Sequence, residues 1–275
     1  MTMLRSKYRI LIAALMIAAC LLTAAGCGSA QSGEQRDDDS LQKVLDAGQL
    51  VLGLDVGFPP MGFIDDSGEI VGFDIDVAQE VCDRLGVKLV KLGINWDTKE
   101  KTLNNGTIDC IWNGMSVTPA RAESMNLSEP YMKNEMIFVV LGSSDAKTMR
   151  DLAGRTVGVQ SGSTAQELLE DSVLSGNITI RLYDTNQQLL ENLKMGVVDA
   201  ALLDSVAAYY IIFSSNVPFF VLPESLGEEE YAIGFRKGDQ ALRDRVQEIL
   251  GEMKADGTLG QISKSWFGSD ITTVR

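Results

Sequence analysis

The sequence has no histidine. Imidazole is the commonest general base near neutral pH and the commonest metal ligand, so its absence removes the usual centres of acid–base and zinc chemistry. Cysteine is nearly as scarce, with four in 275 residues. Two of them, Cys20 and Cys27, lie in or just after an apolar leader, and Cys82 and Cys110 fall on a predicted helix and a predicted strand. Two cysteines cannot close a zinc site, and two buried free thiols are expected in place of a disulfide or redox pair. No metal and no cofactor is expected. Basic residues are in deficit, at 24 against 38 acidic ones. Three basic residues and no acidic ones precede Cys27, so the remainder carries a net charge of −17. This excludes nucleic acid as a natural partner and argues against docking on an anionic lipid surface through the protein itself.

A segment long enough to span a membrane is missing as well. Arg5, Lys7 and Arg9 precede an apolar run from Ile10 to Leu22, which is too short for a membrane span and has the layout of a secretory signal. It closes on Ala24-Ala25-Gly26-Cys27, which resembles a lipobox, with residues 1–26 removed and Cys27 lipidated as the new N-terminus. Leu22 stands further from the cysteine than the usual leucine does. Cys20, after Ile17-Ala18-Ala19, is a second candidate that leaves a very short apolar region, and an ordinary cleaved signal with an incidental cysteine is the plainer alternative. Residues 27–40 hold no apolar side chain larger than alanine after the cysteine and read as a disordered tether.

What is present is an alternation of strands and helices. Residues 49–57 read as a strand ending in glycine. In residues 72–86, Ile75, Ala78, Val81, Cys82 and Leu85 share one helical face, with Gly86 at the C-cap. Strands follow at 87–92 and 107–112, with a helix from Thr98 to Asn105 between them. The scheme then starts again. Residues 155–162 parallel the first strand, 185–196 parallel the helix before Gly106, and 197–204 parallel 107–114, with Asp109 and Asp199 each three residues after a glycine. Two similar α/β lobes are expected in one chain.

In open α/β sheets, ligands bind beyond the carboxyl ends of the strands. Asp55 to Phe58, Asn113 to Ser116, Gly162 to Thr164 and Asp204 occupy such ends. Arg121, in the first turn of a helix opened by Thr118-Pro119, presents a planar donor fork suited to a carboxylate. Asp204 suits an ammonium group, Ser116, Ser163 and Thr164 are neutral donors, and Phe58 and Trp96 offer apolar and cation–π surface. An arginine and an aspartate on different lobes form a template for a zwitterion. Each residue also has a plainer role: Arg121 could pair with Glu123 or Glu129 on the surface, Ser163 or Thr164 could cap a helix with Glu167, and Asp204 could cap the helix at 205–213.

The stretches "GFDIDVAQEVCDRL" (72–85), "LGLDVGFPPMGF" (52–63), "GMSVTPAR" (114–121), "LSEPY" (127–131), "GVQSGST" (158–164) and "ADGTLGQISKSWFG" (255–268), in this order, resemble the bacterial extracellular solute-binding proteins of family 3, the polar amino-acid receptors of ABC importers. The resemblance runs from about Leu41 to Gly268. It implies a two-lobed periplasmic-binding-protein type 2 fold with a two-segment hinge. Lobe I would be 41–132 plus 232–270 and lobe II 133–231, with crossings near Met132–Met136 and Glu228–Ala232. It implies that Arg121 clamps the ligand carboxylate, helped by Ser116 and the Thr164 N–H. Asp204 and the Gly114 carbonyl would take the α-ammonium, Phe58 would stack over the ligand, Trp96 would wall the side-chain pocket and Asp55 would lie near the far end of the side chain. Asn113 stands where some relatives have serine, which leaves side-chain selectivity open. The partners implied are a free amino acid, the permease subunits and, through the lipid on Cys27, the outer surface of the membrane, with the protein a monomer. The alternative in a different class is a cyclohexadienyl or arogenate dehydratase on the same fold, using Asp55 and Asp204 as acid and base.

Overall fold

The computed structural model describes residues 38–274. The expected leader, Cys20, Cys27 and most of the tether lie outside the described residues. The tether's last three residues do not behave as a linker. The Asp38 carboxylate accepts from the Ser40 N–H at 3.0 Å and from the Ala241 N–H, and the buried Ser40 hydroxyl accepts from the Leu242 N–H at 3.1 Å. Polar side chains that satisfy free N–H groups at a helix start hold this strap in place.

The chain runs through α1 (Ser40–Ala47), β1 (Gln49–Leu54), a small antiparallel sheet of β2 (Gly57–Phe58), β3 (Gly62–Ile64) and β4 (Ile70–Val71), then α2 (Phe73–Leu85) and β5 (Lys88–Gly93). A single 3-10 turn at Trp96–Thr98 leads into α3 (Lys99–Asn104), β6 (Cys110–Ser116), α4 (Pro119–Ser124) and β7 (Asn126–Leu127). The first long strand, β8 (Met132–Leu141), follows. A second α/β series comprises β9 (Thr156–Gln160), α5 (Thr164–Asp171), β10 (Thr179–Tyr183), α6 (Asn186–Lys194), β11 (Ala200–Asp204) and α7 (Ser205–Ser214). The long β12 (Phe219–Phe235) returns the chain, which ends in α8 (Gln240–Asp256) and α9 (Thr258–Phe267).

The main sheet has the order β10-β9-β11-β8-β12-β6-β1-β5, with β7 beside β12. Parallel triplets stand at its two ends, β5-β1-β6 and β10-β9-β11, and the antiparallel pair β8–β12 joins them. This is an α/β fold in two halves. The repeat seen in the sequence has a hydrogen-bonded counterpart in each half. Asp109 Oδ2 accepts from the Val51 N–H at 2.9 Å, and Asp199 Oδ2 accepts from the Thr156 N–H at 2.8 Å. Each aspartate pins the start of one parallel strand to the start of its neighbour.

Helix α2 buries Ile75, Ala78, Val81 and Cys82, and Gly86 closes it in the left-handed region at φ 72°. One strand runs further than the sequence pattern indicates. The expected end at Trp112 is passed, and β6 continues through Asn113, Gly114, Met115 and Ser116, all buried. The reason is its neighbour: Tyr231 and Ala232 of β12 pair with Ser116 and Met115 and satisfy a backbone that the polar side chains made look like a loop. Among the described residues, no helix is long and apolar enough to cross a membrane.

Candidate functional site

The carboxyl ends of β1, β6, β9 and β11 converge on one cavity with about 300 Å³ of atom-free space. Its lining contains all ten residues singled out from the sequence: Asp55, Phe58, Trp96, Asn113, Gly114, Ser116, Arg121, Ser163, Thr164 and Asp204. Gln160, at the end of β9, completes it.

Arg121 is 3% exposed. Thr118 caps α4 by accepting from the Arg121 N–H, and Pro119 occupies the first helical turn, so the side chain starts from a set position. The guanidinium donates to the Ser116 carbonyl at 2.8 Å and to the Gly162 carbonyl at 3.5 Å. Among the described residues no carboxylate lies within ion-pair distance, which removes the surface pairing with Glu123 or Glu129. Burial pushes its pKa down, against the pull of Glu167 and Glu229.

Asp204 is 7% exposed and stands at the N-cap position before α7, yet its carboxylate makes no capping bond. Its Oδ1 instead accepts from the Tyr231 hydroxyl at 2.6 Å and from Asn134 Nδ2 at 2.8 Å. Both partners belong to the joining strands, Tyr231 to β12 and Asn134 to β8. Burial, and then the neighbouring Glu229, push the Asp204 carboxyl up to about 7, with Tyr231 and Arg121 pulling the other way. Glu229 enters the site through its own contacts: Oε2 accepts from Ser116 Oγ at 2.8 Å and from Asn134 Nδ2 at 3.3 Å. Because Ser116 spends its one hydroxyl proton on Glu229, Thr164 is the donor in the 3.0 Å contact between Thr164 Oγ1 and Ser116 Oγ.

Asp55 is buried, and burial raises its pKa. Oδ1 accepts from the Gly57 N–H at 2.8 Å and Oδ2 from Gln160 Nε2 at 2.6 Å, a bond between the two halves. Asn186 in turn donates to Gln160 Oε1 at 3.0 Å. Asn113 Oδ1 accepts from the Asp55 N–H at 3.0 Å, which fixes the amide orientation and leaves the buried Nδ2 as a donor with no partner among the described residues. Ser163 is the N-cap of α5. Its hydroxyl accepts from the Gln166 N–H and donates to the Gln160 carbonyl at 2.7 Å, so its polar capacity is used locally. Thr164 is the first residue of α5, where a backbone N–H has no partner within the helix.

Gly114 has φ +55°, and a Cβ there would lie 2.8 Å from Phe58 Cε1 and 3.1 Å from Tyr231 Cε2, so glycine lets both rings close on the floor. Its N–H donates to Asp74 Oδ2 at 2.7 Å, and the Tyr131 hydroxyl donates to the same oxygen at 3.0 Å. Asp74 is fully buried, its Oδ1 has no hydrogen-bond partner among the described residues, and burial pushes it up to about 7.

Five contributors escaped the sequence reading: Gln160, Asn134, Glu229, Tyr231 and Asp74. For Asn134 a signal existed. Met132, Asn134 and Met136 alternate with exposed Lys133 and Glu135, which places one amide on a buried methionine face. Glu229 lies in the run Glu228-Glu229-Glu230, which reads as solvated charge.

A polar cavity carrying opposite buried charges, built at strand ends of a two-halved α/β fold, defines a receptor for a small solute. Residues 50–269 match the family model of the bacterial extracellular solute-binding proteins, family 3, and the chain belongs to that family. It is 32% identical over 238 residues to the L-cystine-binding protein TcyJ of Escherichia coli (strain K12), covering 86% of this chain and 89% of that protein. It is 30% identical over 258 residues to the arginine-binding extracellular protein ArtP of Bacillus subtilis (strain 168), covering 92% and 96%. An ABC uptake transporter substrate-binding protein from Streptococcus pneumoniae, solved with bound histidine, shares 35% identity and a TM-score of 0.83, covering 86% of this chain and 99% of that one. These relatives are binding and transport proteins, which sets the dehydratase alternative aside.

Proposed function

We propose that this protein is the extracytoplasmic substrate-binding component of an ABC importer and that its cavity takes a free polar L-amino acid. The observation that carries this reading is a pair of buried charges in one small cavity, Arg121 and Asp204, neither matched among the described residues by an opposite charge in an ion pair. A buried charge is tolerable when paired and hydrogen-bonded, and a zwitterion supplies the missing partner to both at once. Arg121, the Thr164 N–H and the Ser116 hydroxyl, its proton turned from Glu229 to the ligand, receive the carboxylate. Asp204 and the Gly114 carbonyl receive the ammonium, Phe58 and Trp96 flank the ligand, and Asp55, Gln160 and Asn113 meet its side chain. Lobe I (41–132 with 232–270) and lobe II (133–231) close on the ligand about the paired segments of β8 and β12, and the ligand favours the closed form because its contacts exist together only there. Cys27 carries the lipid anchor, the protein is a monomer, and it delivers its ligand to permease subunits.

The relatives' names include cystine, arginine and histidine. Titration calorimetry of the protein with these three and with L-glutamine tests the reading. Saturable binding of one site per chain by at least one of them is expected. No binding of any amino acid by a folded protein would overturn it.

A further inference from the structure

A second buried cation stands beside the cavity and has no place in the ligand scheme. Lys99, the first residue of α3, is 4% exposed, and among the described residues it has no carboxylate within ion-pair distance. Its ammonium lies 5.0 Å from the Trp96 ring centroid and donates to the Trp96 carbonyl at 3.2 Å. It also donates to the Gly162 carbonyl at 2.9 Å, the shorter of the two. Trp96 and Lys99 precede β8, whereas Gly162 lies between β8 and β12, so this bond joins the two halves of the fold.

The Gly162 loop is shaped for the approach. Gly162 has φ +69°, and a Cβ there would stand 2.7 Å from Asp97 Cα, so the backbone of one half rests against the backbone of the other. Arg121 reaches the same carbonyl at 3.5 Å, and burial with Arg121 nearby pushes Lys99 down to about 8. An ammonium held without a counter-ion is costly wherever it is buried. That cost is lowest with the halves apart, where the ammonium is hydrated, and in the closed arrangement the carbonyl offsets part of it. Lys99 does not line the cavity, whose polar lining is complete without it.

We propose that Lys99 and the Gly162 carbonyl form a latch between the halves that slows ligand release without selecting the ligand. Lys99 is a positioning residue, and the proposal rests on the amino-acid-binding reading above. The latch forms after capture, so it governs dissociation and leaves association alone. Trp96 holds the ammonium from one side, and the Gly162 carbonyl completes its hydration shell only on closure.

The test is a chase of radiolabelled L-arginine, L-cystine and L-histidine from the wild-type protein and from K99M and K99R, with association rates and ligand-free melting measured in parallel. For every amino acid that binds, K99M is expected to release it about tenfold faster, by a similar factor for each, with association within about twofold of wild type. K99R, which keeps a donor, should restore at least half of the lost residence time on a logarithmic scale. The ligand-free K99M protein should melt close to wild type, because the ammonium is hydrated while the halves are apart. Unchanged release, a factor that depends on the amino acid, or a lowered ligand-free melting temperature would overturn the latch. Failure of the wild type to bind any amino acid would instead overturn the binding reading on which the latch rests.

Discussion

Gln160 Nε2 stands 2.6 Å from Asp55 Oδ2, so the acid at the end of β1 is held by a neutral donor from the other half of the fold. With the Gly57 N–H on its other oxygen, Asp55 is buried and hydrogen-bonded, yet no cation pairs with it among the described residues. If it meets a cationic ligand side chain, D55A should weaken L-arginine by roughly tenfold or more relative to L-glutamine, since a charged hydrogen bond is worth about 1.5–3 kcal/mol. Equal losses across the two would mean that Asp55 serves only the Gly57 turn and the Gln160 bridge. Competition binding with both amino acids separates the cases.

The clamp makes a sharper demand. R121A and D204N should each lose on the order of 3–5 kcal/mol of amino-acid affinity, because one ligand charge is then buried without its partner. Neither should melt below wild type without ligand. Among the described residues the Arg121 guanidinium bonds only carbonyl oxygens, and asparagine at 204 keeps an acceptor for Tyr231 and Asn134. Calorimetry and ligand-free melting on both variants check this, and affinity near wild type in either one removes the clamp.

The missing histidines simplify the pH dependence. Between about pH 5 and 7.5 the groups left to titrate are carboxyls shifted upward by burial. Asp74 and Asp204, both near 7 against an ordinary 3.8, are the main ones. Between 3.8 and 7 the native state holds protons that the unfolded chain has released, so stability falls as pH rises through this window. The ligand-free protein should therefore melt higher at about pH 5.5 than at about pH 7.5, and D74N should flatten the difference. Asp256, at about 2, acts only in stronger acid.

Ligand binding should run the other way. An ammonium group at Asp204 favours the ionised carboxyl, so binding near pH 7 should release protons, and affinity should rise roughly tenfold from about pH 5.5 to 7.5. Calorimetry in buffers of different ionisation enthalpy counts the protons. No release would mean that the ammonium group does not meet Asp204.

The anchor is tested apart from the site. C27A should move the protein from the membrane fraction to the soluble fraction or leave it unprocessed. Mass spectrometry that finds an unmodified mature protein starting elsewhere would end the claim.

The two α/β halves were legible because their signals are local. The α2 face, Gly86 as its cap and the matched Asp109 and Asp199 need only nearby residues to be read. The ten cavity residues were legible for a similar reason: strand ends are marked by polar breaks, and the family motifs fall on them. What stayed hidden depends on distant partners. The polar half of β6 is a strand only because β12 lies beside it. Glu229 and Lys99 sit among other charges in "GEEEY" and "DTKEK", where solvent exposure is the default expectation, and only the tertiary fold buries Lys99 or brings Glu229 to Ser116.

The joining ribbon is also part of the recognition apparatus. Asn134 and Glu229 are register partners on β8 and β12, and Tyr231 is paired with Met132 two residues further along. Two of these three side chains bond Asp204, and the third bonds Ser116. A two-stranded antiparallel ribbon twists readily, so any rotation of the halves turns the peptide units that carry these groups. In the proposed closure about β8 and β12, the pivot and the grip would be one mechanical part. The register shifts in β12 between Val221 and Ser225 and between Ser225 and Gly227 lie just beyond that gripping stretch. A bulge bends a strand and locally interrupts its ladder, whereas the pairing from Glu228 to Tyr231 runs without a shift.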